Sequence, residues 1–538
     1  TSERTGAIIE SRLSLQWFIN MKEFLNRNPE TLSAVMNDEI RFYPEKTKNT
    51  YSHWLNNIKD WCISRQLWWG QRIPAWYLPN GEFVVAETAT EAVVEFKKQY
   101  NYNLSPEAIH QDEDCLDTWF SSWLWPMEVF KGISNPGNKD AEYYYPTTTL
   151  VTGQDIIFFW VARMIMAGFE YKKEQPFKDV YFTGMVRDKQ GRKMSKQLGN
   201  SPDLLGLIDQ YGADAVRFGI LISSPAGNDL LWDESSNEQG RNFNNKLWNA
   251  LKLVKMWEAR TSDHGPQTTG ESNFAIEWFD NRLNEAKAEI DQQFKEFRLS
   301  EALKTIYSLI WDDFCSWYLE WVKPGFEQPI DAAVYNKTVQ FFEELMQLLH
   351  PFMPFISEEI YHALKKRAAG DDITIKQLSP AVTTDKAVLQ LALHLKEVIT
   401  ALRDIRVKNQ IKPKEAIKLS IETDQQQSYK SIESILAKQL NAESISYVSA
   451  SVAGTISAVI QKDKFYIATE QAIDTSSQKE QMLKDLEYLK GFLLSVEKKL
   501  GNERFVQNAK PEVVDIEKKK KADAEAKIKA IEESLASL

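Results

Sequence analysis

The stretch TTTLVTGQDIIFFWVARMIMAGFEYKKEQPFKDVYFTGMVRDKQGRKMSKQLGNSPDLL, residues 147–205, decides the fold. TTTLVTG reads as a buried strand, Ile156 to Ala167 as an apolar helix, and DVYFTGMV as a second strand, with glycine at both strand ends. Strand, helix, strand is a βαβ unit, and such units bind ligands beyond the carboxyl ends of their strands. The loop GRKMSKQLGNSPDLL begins at that end. It offers Gly191 and Gly199 for backbone freedom, Lys193 and Lys196 as cations, and Ser195 as a hydroxyl donor. A loop so equipped can wrap a triphosphate and neutralise charge that develops on a pyrophosphate leaving group. On these residues alone a lysine-rich surface turn is an equally good reading.

The rest of the chain sets bounds on that choice. At 538 residues, 43% hydrophobic and 26% charged, it has room for several domains with cores of their own. Cys62, Cys115 and Cys315 are far apart and form no C-x-x-C pair, the pattern of structural thiols in a reducing, cytoplasmic compartment. The longest apolar run, IIFFWVARMIMAG, is too short to span a bilayer and contains Arg163, so no membrane association is expected. The chain starts TSERTGAIIE without methionine and reads as a fragment or a processed product. A net charge of −11 does not mark a general nucleic-acid binder. Basic residues nonetheless gather at Lys365 to Arg367, between Arg403 and Lys414, and at Lys518 to Lys521, each by itself readable as a solvated helix face.

The patterning divides the chain into four parts. Residues 1–235 mix strands, short helices and Pro/Gly loops, with GEFVVAET a strand after the LPNG turn, and read as α/β. Residues 236–384 carry long segments with helical apolar spacing, interrupted at HPFMPF, and read as an all-α bundle. Residues 385–474 join a helix, Leu389 to Val407, to the strands AIKLSIET, SISYVS and KFYIATE, a small α/β module. In 475–538, Met482, Leu486, Leu489, Leu493, Val496 and Leu500 recur at alternating steps of four and three, and Ile528, Ile531, Leu535 and Leu538 repeat the scheme. Gly501 and Pro511 bracket the break between them, which predicts an antiparallel coiled-coil hairpin projecting as an arm.

The run DVYFTGMVRDKQGRKMSKQLGNSPDLL resembles the KMSKS loop of class I aminoacyl-tRNA synthetases, with Gln197 in place of the last serine. DWCISRQLWWGQRIPAWY (60–77), LDTWFSSWLWP (116–126) and VTGQDIIFFWVARMIM (151–166) resemble the matching blocks of the valyl-tRNA synthetase family. YGADAVRFGIL, DFCSWYLEWVKP and HPFMPFISEEIY continue the series in the same order, so the resemblance extends along essentially the whole chain.

That resemblance implies a fold, a reaction and residue roles. The fold would be the C-terminal half of a Rossmann-like nucleotide-binding domain, an anticodon-binding helical bundle, the small α/β junction and a tRNA-binding arm. The reaction would be ATP-dependent activation of valine, with Mg2+ accompanying the nucleotide, followed by transfer to tRNA(Val) in a monomeric enzyme. Lys196, supported by Lys193 and with Ser195 between them, would stabilise adenylate formation. Gly153 and Asp155 would lie against the adenosine, Asp155 accepting from the ribose hydroxyls, and backbone groups of Gly184, Met185 and Val186 would face the adenine edge. Trp69, Ile156 and Trp160 would wall the valine pocket. Ile156 and Trp160, four apart, would share a helix face, although such a pair is as readily explained by core packing. Lys518, Lys519, Lys520 and Lys521 would grip tRNA phosphates from the arm.

Two family features have no counterpart in these 538 residues. The six histidines form no H-x-G-H pair, and no editing domain is found, so the chain reads as a C-terminal portion, inactive alone. Many relatives carry cysteine pairs for zinc between the PAWY and LDTWFSS blocks; here 78–114 has no cysteine, and no structural metal is expected. The isoleucyl- or leucyl-tRNA synthetases are the nearest alternative, and a non-catalytic tRNA-binding protein on the same scaffold is the other.

Overall fold

A computed structural model describes residues 1, 6–10, 13–194, 198–224, 227–258, 261–262, 270–325, 327–469, 475–502 and 511–537. The chain divides into two compact units, one of Thr1–Leu205, Gly219–Ser236 and Gln293–Glu301, the other of Gly206–Phe218, Asn237–Gln292 and Ala302–Leu538.

The first unit is organised by a parallel sheet of β1 (Arg41–Tyr43), β2 (Thr147–Gly153) and β3 (Phe177–Thr183), in the order β1-β3-β2. β3 is central and covered on both faces: Phe177, Val180 and Phe182 are fully buried. β2 departs from expectation. Among the described residues it pairs only with β3, and along it only Thr152 is buried, so the run TTTLVTG forms an edge strand and not a buried one. The crossover is not one regular helix either. A 3-10 turn at Gln154–Ile156 leads into a π-helical turn, Ile157–Val161, then an α-helix, Ala162–Ala167, and a second π-helical turn, Gly168–Lys172. All of 161–169 is buried against the sheet and the helices Glu30–Met36 and Thr47–Asn56.

The LPNG turn and following strand form as predicted. Gly81 takes φ +88, and Phe83–Val85 pairs antiparallel with Ala75–Tyr77, which also pairs with His110–Gln111. Leu78, Val84, Ala92, Phe96 and Ile109 give this small sheet and its helix Ala89–Tyr100 a core of their own. Thr88 and Glu91 cap that helix reciprocally. Asp112 ties the segment down, accepting from Tyr77 Oη at 2.9 Å and Trp17 Nε1 at 3.0 Å.

The second unit contains most of the long helices Ser235–Glu258 and Gly270–Lys295 and all of Ala332–Leu349 and Pro354–Leu364. HPFMPF does separate two helices, with Pro354 in the first turn of the later one, where its missing N–H costs nothing. Gly240 sits where a Cβ would meet the Ala215 carbonyl oxygen at 2.6 Å, so two helix backbones approach closely there. The α/β module exceeds its sequence reading. Beyond the three expected strands, it contains the helix Gln426–Leu440 and the strand Ile456–Ile460, at one edge of a four-stranded sheet. Helices Thr475–Leu500 and Pro511–Ser537 run antiparallel, joined by Lys490–Glu532 (2.6 Å), Lys521–Glu497 (2.9 Å) and Lys499–Glu517 (3.9 Å). Leu486, Leu489, Leu493, Val496, Leu500, Ile528, Ile531 and Leu535 are their shielded positions; the side chains of Met482 and Leu538 lie outside the described residues.

Candidate functional site

Gly153 and Thr183 are paired at the carboxyl ends of β2 and β3. Gly153 has extended backbone and open space where a Cβ would stand, and Asp155, in the turn beyond it, is exposed. From Thr183 the chain passes through Gly184, where a Cβ would fall 1.7 Å from the Asn228 carbonyl oxygen. No side chain fits between these two backbones. Met185 then donates its N–H to Asp229 Oδ1 (3.0 Å) and accepts from the Leu230 N–H (2.9 Å), so both of its backbone groups are used internally. Val186–Arg187 pairs in parallel with Leu230–Leu231. That register turns the N–H and C=O of Val186 to the opposite side, away from its partner strand.

A tight hairpin follows, closed by a bridge between Arg187 and Lys193. Its turn is DKQG: the Gly191 N–H donates to the Asp188 carbonyl at 2.8 Å, and Gly191 takes φ +76. Asp188 is buried and its carboxylate accepts four hydrogen bonds. Oδ1 takes the N–H groups of Gln190 (3.1 Å) and Arg192 (2.8 Å); Oδ2 takes Arg192 Nε (2.7 Å) and Asn200 Nδ2 (2.9 Å). Asn200 Nδ2 also reaches the Lys193 carbonyl at 3.3 Å. The Asn200 hydrogen bond, with those from Arg192, holds the Asp188 carboxyl down to about 2. Arg187 pairs with Asp229, Lys189 with Asp233 at 3.3 Å, and Arg192 with Asp188. Among the described residues, Lys193 is the cation of this run without a carboxylate partner, and it is exposed. Ser195, Lys196 and Gln197 lie outside the described residues.

The three residues expected to wall a pocket are placed differently from one another. Trp69 stands 89% exposed. Trp160 packs on the core and donates Nε1 to the Ser122 carbonyl at 3.0 Å, while Ile156 is half-buried in the 3-10 turn. The π-helical turn between them breaks the register assumed for an i, i+4 pair. What does join the DWCISRQ, LDTWFSS and IIFFWVARM blocks is Asp117, which no pattern in the sequence singles out. Its buried carboxylate accepts from Trp61 Nε1 (2.9 Å) and pairs with Arg65 (3.0 Å) and Arg163 (3.7 Å). Arg163 lies 3.6 Å from the Trp61 ring centroid, and burial lowers its pKa to about 10. Beside it is a cavity of about 530 Å3, lined by Trp54, Trp61, Phe158, Phe159 and Arg163 but not by Trp69, Ile156 or Trp160.

In the arm, the four lysines sit beyond the first turn of a helix that starts at Pro511, not at its beginning. Lys518 pairs with Asp515 (3.5 Å), Lys520 with Glu517 (2.7 Å) and Lys521 with Glu497 (2.9 Å), while Lys519 lines a cleft with Lys462 and Lys527. The Lys518–Asp515 and Lys521–Glu497 pairs are exposed and therefore weak, whereas the Glu517 carboxylate that holds Lys520 is buried. Cys62, Cys115 and Cys315 are free. The group Glu358, His362 and Asp372 brings a potential metal-ligand atom from each residue within 4.8 Å, on the helix Pro354–Leu364 and the loop after it. Among the described residues, no helix is long and apolar enough to cross a membrane.

Residues 8–233 match the family of tRNA synthetases class I (I, L, M and V), 277–422 the anticodon-binding domain of tRNA ligase, and 474–538 the valyl tRNA synthetase tRNA binding arm. The chain is similar to the valine–tRNA ligase of Parabacteroides distasonis, 51% identical over 100% of this chain and 61% of that protein. It is likewise 51% identical to that of Phocaeicola vulgatus, over 100% and 60%. A Mycobacterium tuberculosis methionyl-tRNA synthetase structure in complex with methionyl-adenylate aligns at TM-score 0.48 and 18% identity, covering 70% of this chain and 68% of that one. The chain thus spans about three fifths of the length of the curated relatives it matches.

Proposed function

The chain carries, along its length, the domains of the valyl-tRNA synthetase family, and from that premise we propose that the whole protein is a valine–tRNA ligase. It activates valine with ATP, Mg2+ accompanying the nucleotide, and transfers valine from the adenylate to tRNA(Val), as a cytoplasmic monomer. The supporting observation is the joining of a class I synthetase domain to a valyl-type arm in one chain.

Within it, the ends of β2 and β3 form the nucleotide side of the site. Gly153 leaves room for adenosine, and the exposed Asp155 carboxylate is an acceptor for ribose hydroxyls. Met185 is internally satisfied, so Val186 supplies the outward backbone groups for the adenine edge, with Gly184 keeping the strand close to Asn228. Lys193 and Lys196 neutralise the phosphates, and Ser195 donates between them. Trp69, Ile156 and Trp160 form the valine pocket once Trp69 folds inward. The chain divides at 235, 384 and 474, and the last part, a coiled-coil hairpin, holds tRNA through Lys518 to Lys521.

Valine-dependent exchange of pyrophosphate into ATP by the full-length protein tests the reading. Valine should support exchange far better than isoleucine or leucine, and a preference for isoleucine overturns it. Lys196→Ala should lower the exchange rate much more than valine affinity, because its charge is needed mainly in the transition state.

A further inference from the structure

We propose that Asp188 is a positioning residue: with Asn200, it closes the mouth of the lysine loop and fixes where Lys193 stands. The inference rests on the ATP-dependent reading above.

A loop that neutralises phosphates is useful only if its cations are held in place before the charge develops; otherwise the ordering entropy must be met during the reaction. The sequence supplies flexible residues here, including Gly191 and Gly199 at φ +76 and +61. Order therefore has to come from contacts across the loop. Asp188 makes them on both limbs. Its Oδ1 and Oδ2 hold Gln190 and Arg192 on the outgoing limb and Asn200 on the returning one, and Asn200 closes the ring on the Lys193 carbonyl. The same carboxylate engages Arg192, as Asp229 engages Arg187 and Asp233 engages Lys189. Each neighbouring cation is thereby committed, and Lys193 is left facing outward at the end of the Arg187 bridge. Both carboxylate oxygens of Asp188 are engaged within the loop. It acts through the backbone of 190–193 and through Asn200.

Asp188→Asn puts an amide donor opposite the donors of Arg192 and Asn200, which opens the mouth without changing side-chain size. The paired change Asp188→Asn with Asn200→Asp puts an acceptor back opposite the donor. In the full-length protein, Asp188→Asn should raise KM for ATP and lower kcat of pyrophosphate exchange, about tenfold together, while KM for valine stays within about twofold. The double variant should recover only part of the loss, because it restores a donor–acceptor pair between positions 188 and 200 while the hydrogen bond to the Lys193 carbonyl stays lost. On the chain as it stands, trypsin should cut after Arg192 and Lys193 several-fold faster in Asp188→Asn than in wild type, roughly in proportion to the open population. Wild-type ATP kinetics and wild-type cleavage in Asp188→Asn overturn the proposal. So does an equal rise in both KM values with no recovery in the double variant, which marks a general structural defect. If wild-type protein shows no exchange at all, the ligase reading fails, and the cleavage rates still decide whether Asp188 closes the loop.

Discussion

At Asp188, four hydrogen bonds converge on one buried carboxylate, and those from Asn200 and Arg192 depress its pKa to about 2, against an ordinary value near 4. For a carboxylate depressed on folding, the contribution is fully present above the unfolded pKa and is lost as pH falls through the folded one. The Gln190 and Arg192 amides should therefore keep their relative protection from hydrogen exchange between pH 7 and pH 4 and lose it only towards pH 2. Loss of half the protection near pH 4 would show an ordinary carboxylate. Asp117 is a second buried carboxylate on which contacts converge, with Arg163 the more buried of its two guanidinium partners. Asp117→Ala leaves that guanidinium without a counter-charge and should cost about 3 kcal/mol in urea unfolding. A cost below about 1 kcal/mol, the range of exposed pairs, would mean that Arg163 finds water instead. Neither aspartate stands out in the sequence, for different reasons. DKQG carries a legible turn signal, aspartate first and glycine fourth, but the returning partner Asn200 is twelve residues from Asp188 and no local rule connects them. Asp117 collects partners from two blocks separated from its own, which no periodicity reveals.

Elements are legible wherever one physical cause dominates. The alternating arm heptads, the break between Gly501 and Pro511, and the proline-marked joint at HPFMPF all rest on local signals, and the helices end where those signals say. The crossover misleads because hydrophobicity alone does not separate α from π winding; Ile157–Val161 is apolar throughout and winds wide. The composition of β2 suggests a buried strand, yet burial depends on how many neighbours a strand acquires, and among the described residues β2 has one. The strand Ile456–Ile460 escapes a sequence reading because ISAVI is too short to display a period. The close helix approach at Gly240 is likewise silent in the sequence. Gly240→Ala should destabilise by about 1 to 3 kcal/mol, since the new methyl meets main chain and not a movable side chain. Gly491→Ala, with nothing within 4 Å, should be neutral or slightly stabilising; thermal unfolding of the two variants separates these outcomes.

Across the whole molecule, the ordered blocks carry the family reading, while Trp69, within one of them, stands exposed. The proposed RNA binding belongs to this scale, because an acidic chain of net charge −11 can hold a polyanion only through local clusters. Changing Lys518, Lys519, Lys520 and Lys521 together to alanine should weaken tRNA binding and flatten its salt dependence, by a slope of about 0.7 to 0.9 for each phosphate no longer neutralised. An unchanged slope would place the phosphate grip elsewhere. The segment from Ala75 to Gln111 has a different consequence. It is closed by Leu78, Val84, Ala92, Phe96 and Ile109 and fastened by Asp112. Treatment with a chelator or a mild thiol oxidant should leave the hydrogen-exchange protection of the Val84 and Phe96 amides unchanged. Aliphatic and phenyl side chains packed together are inert to mild oxidants and hold no ion that can exchange with the medium, so this core should keep its shape through metal starvation and oxidative stress alike.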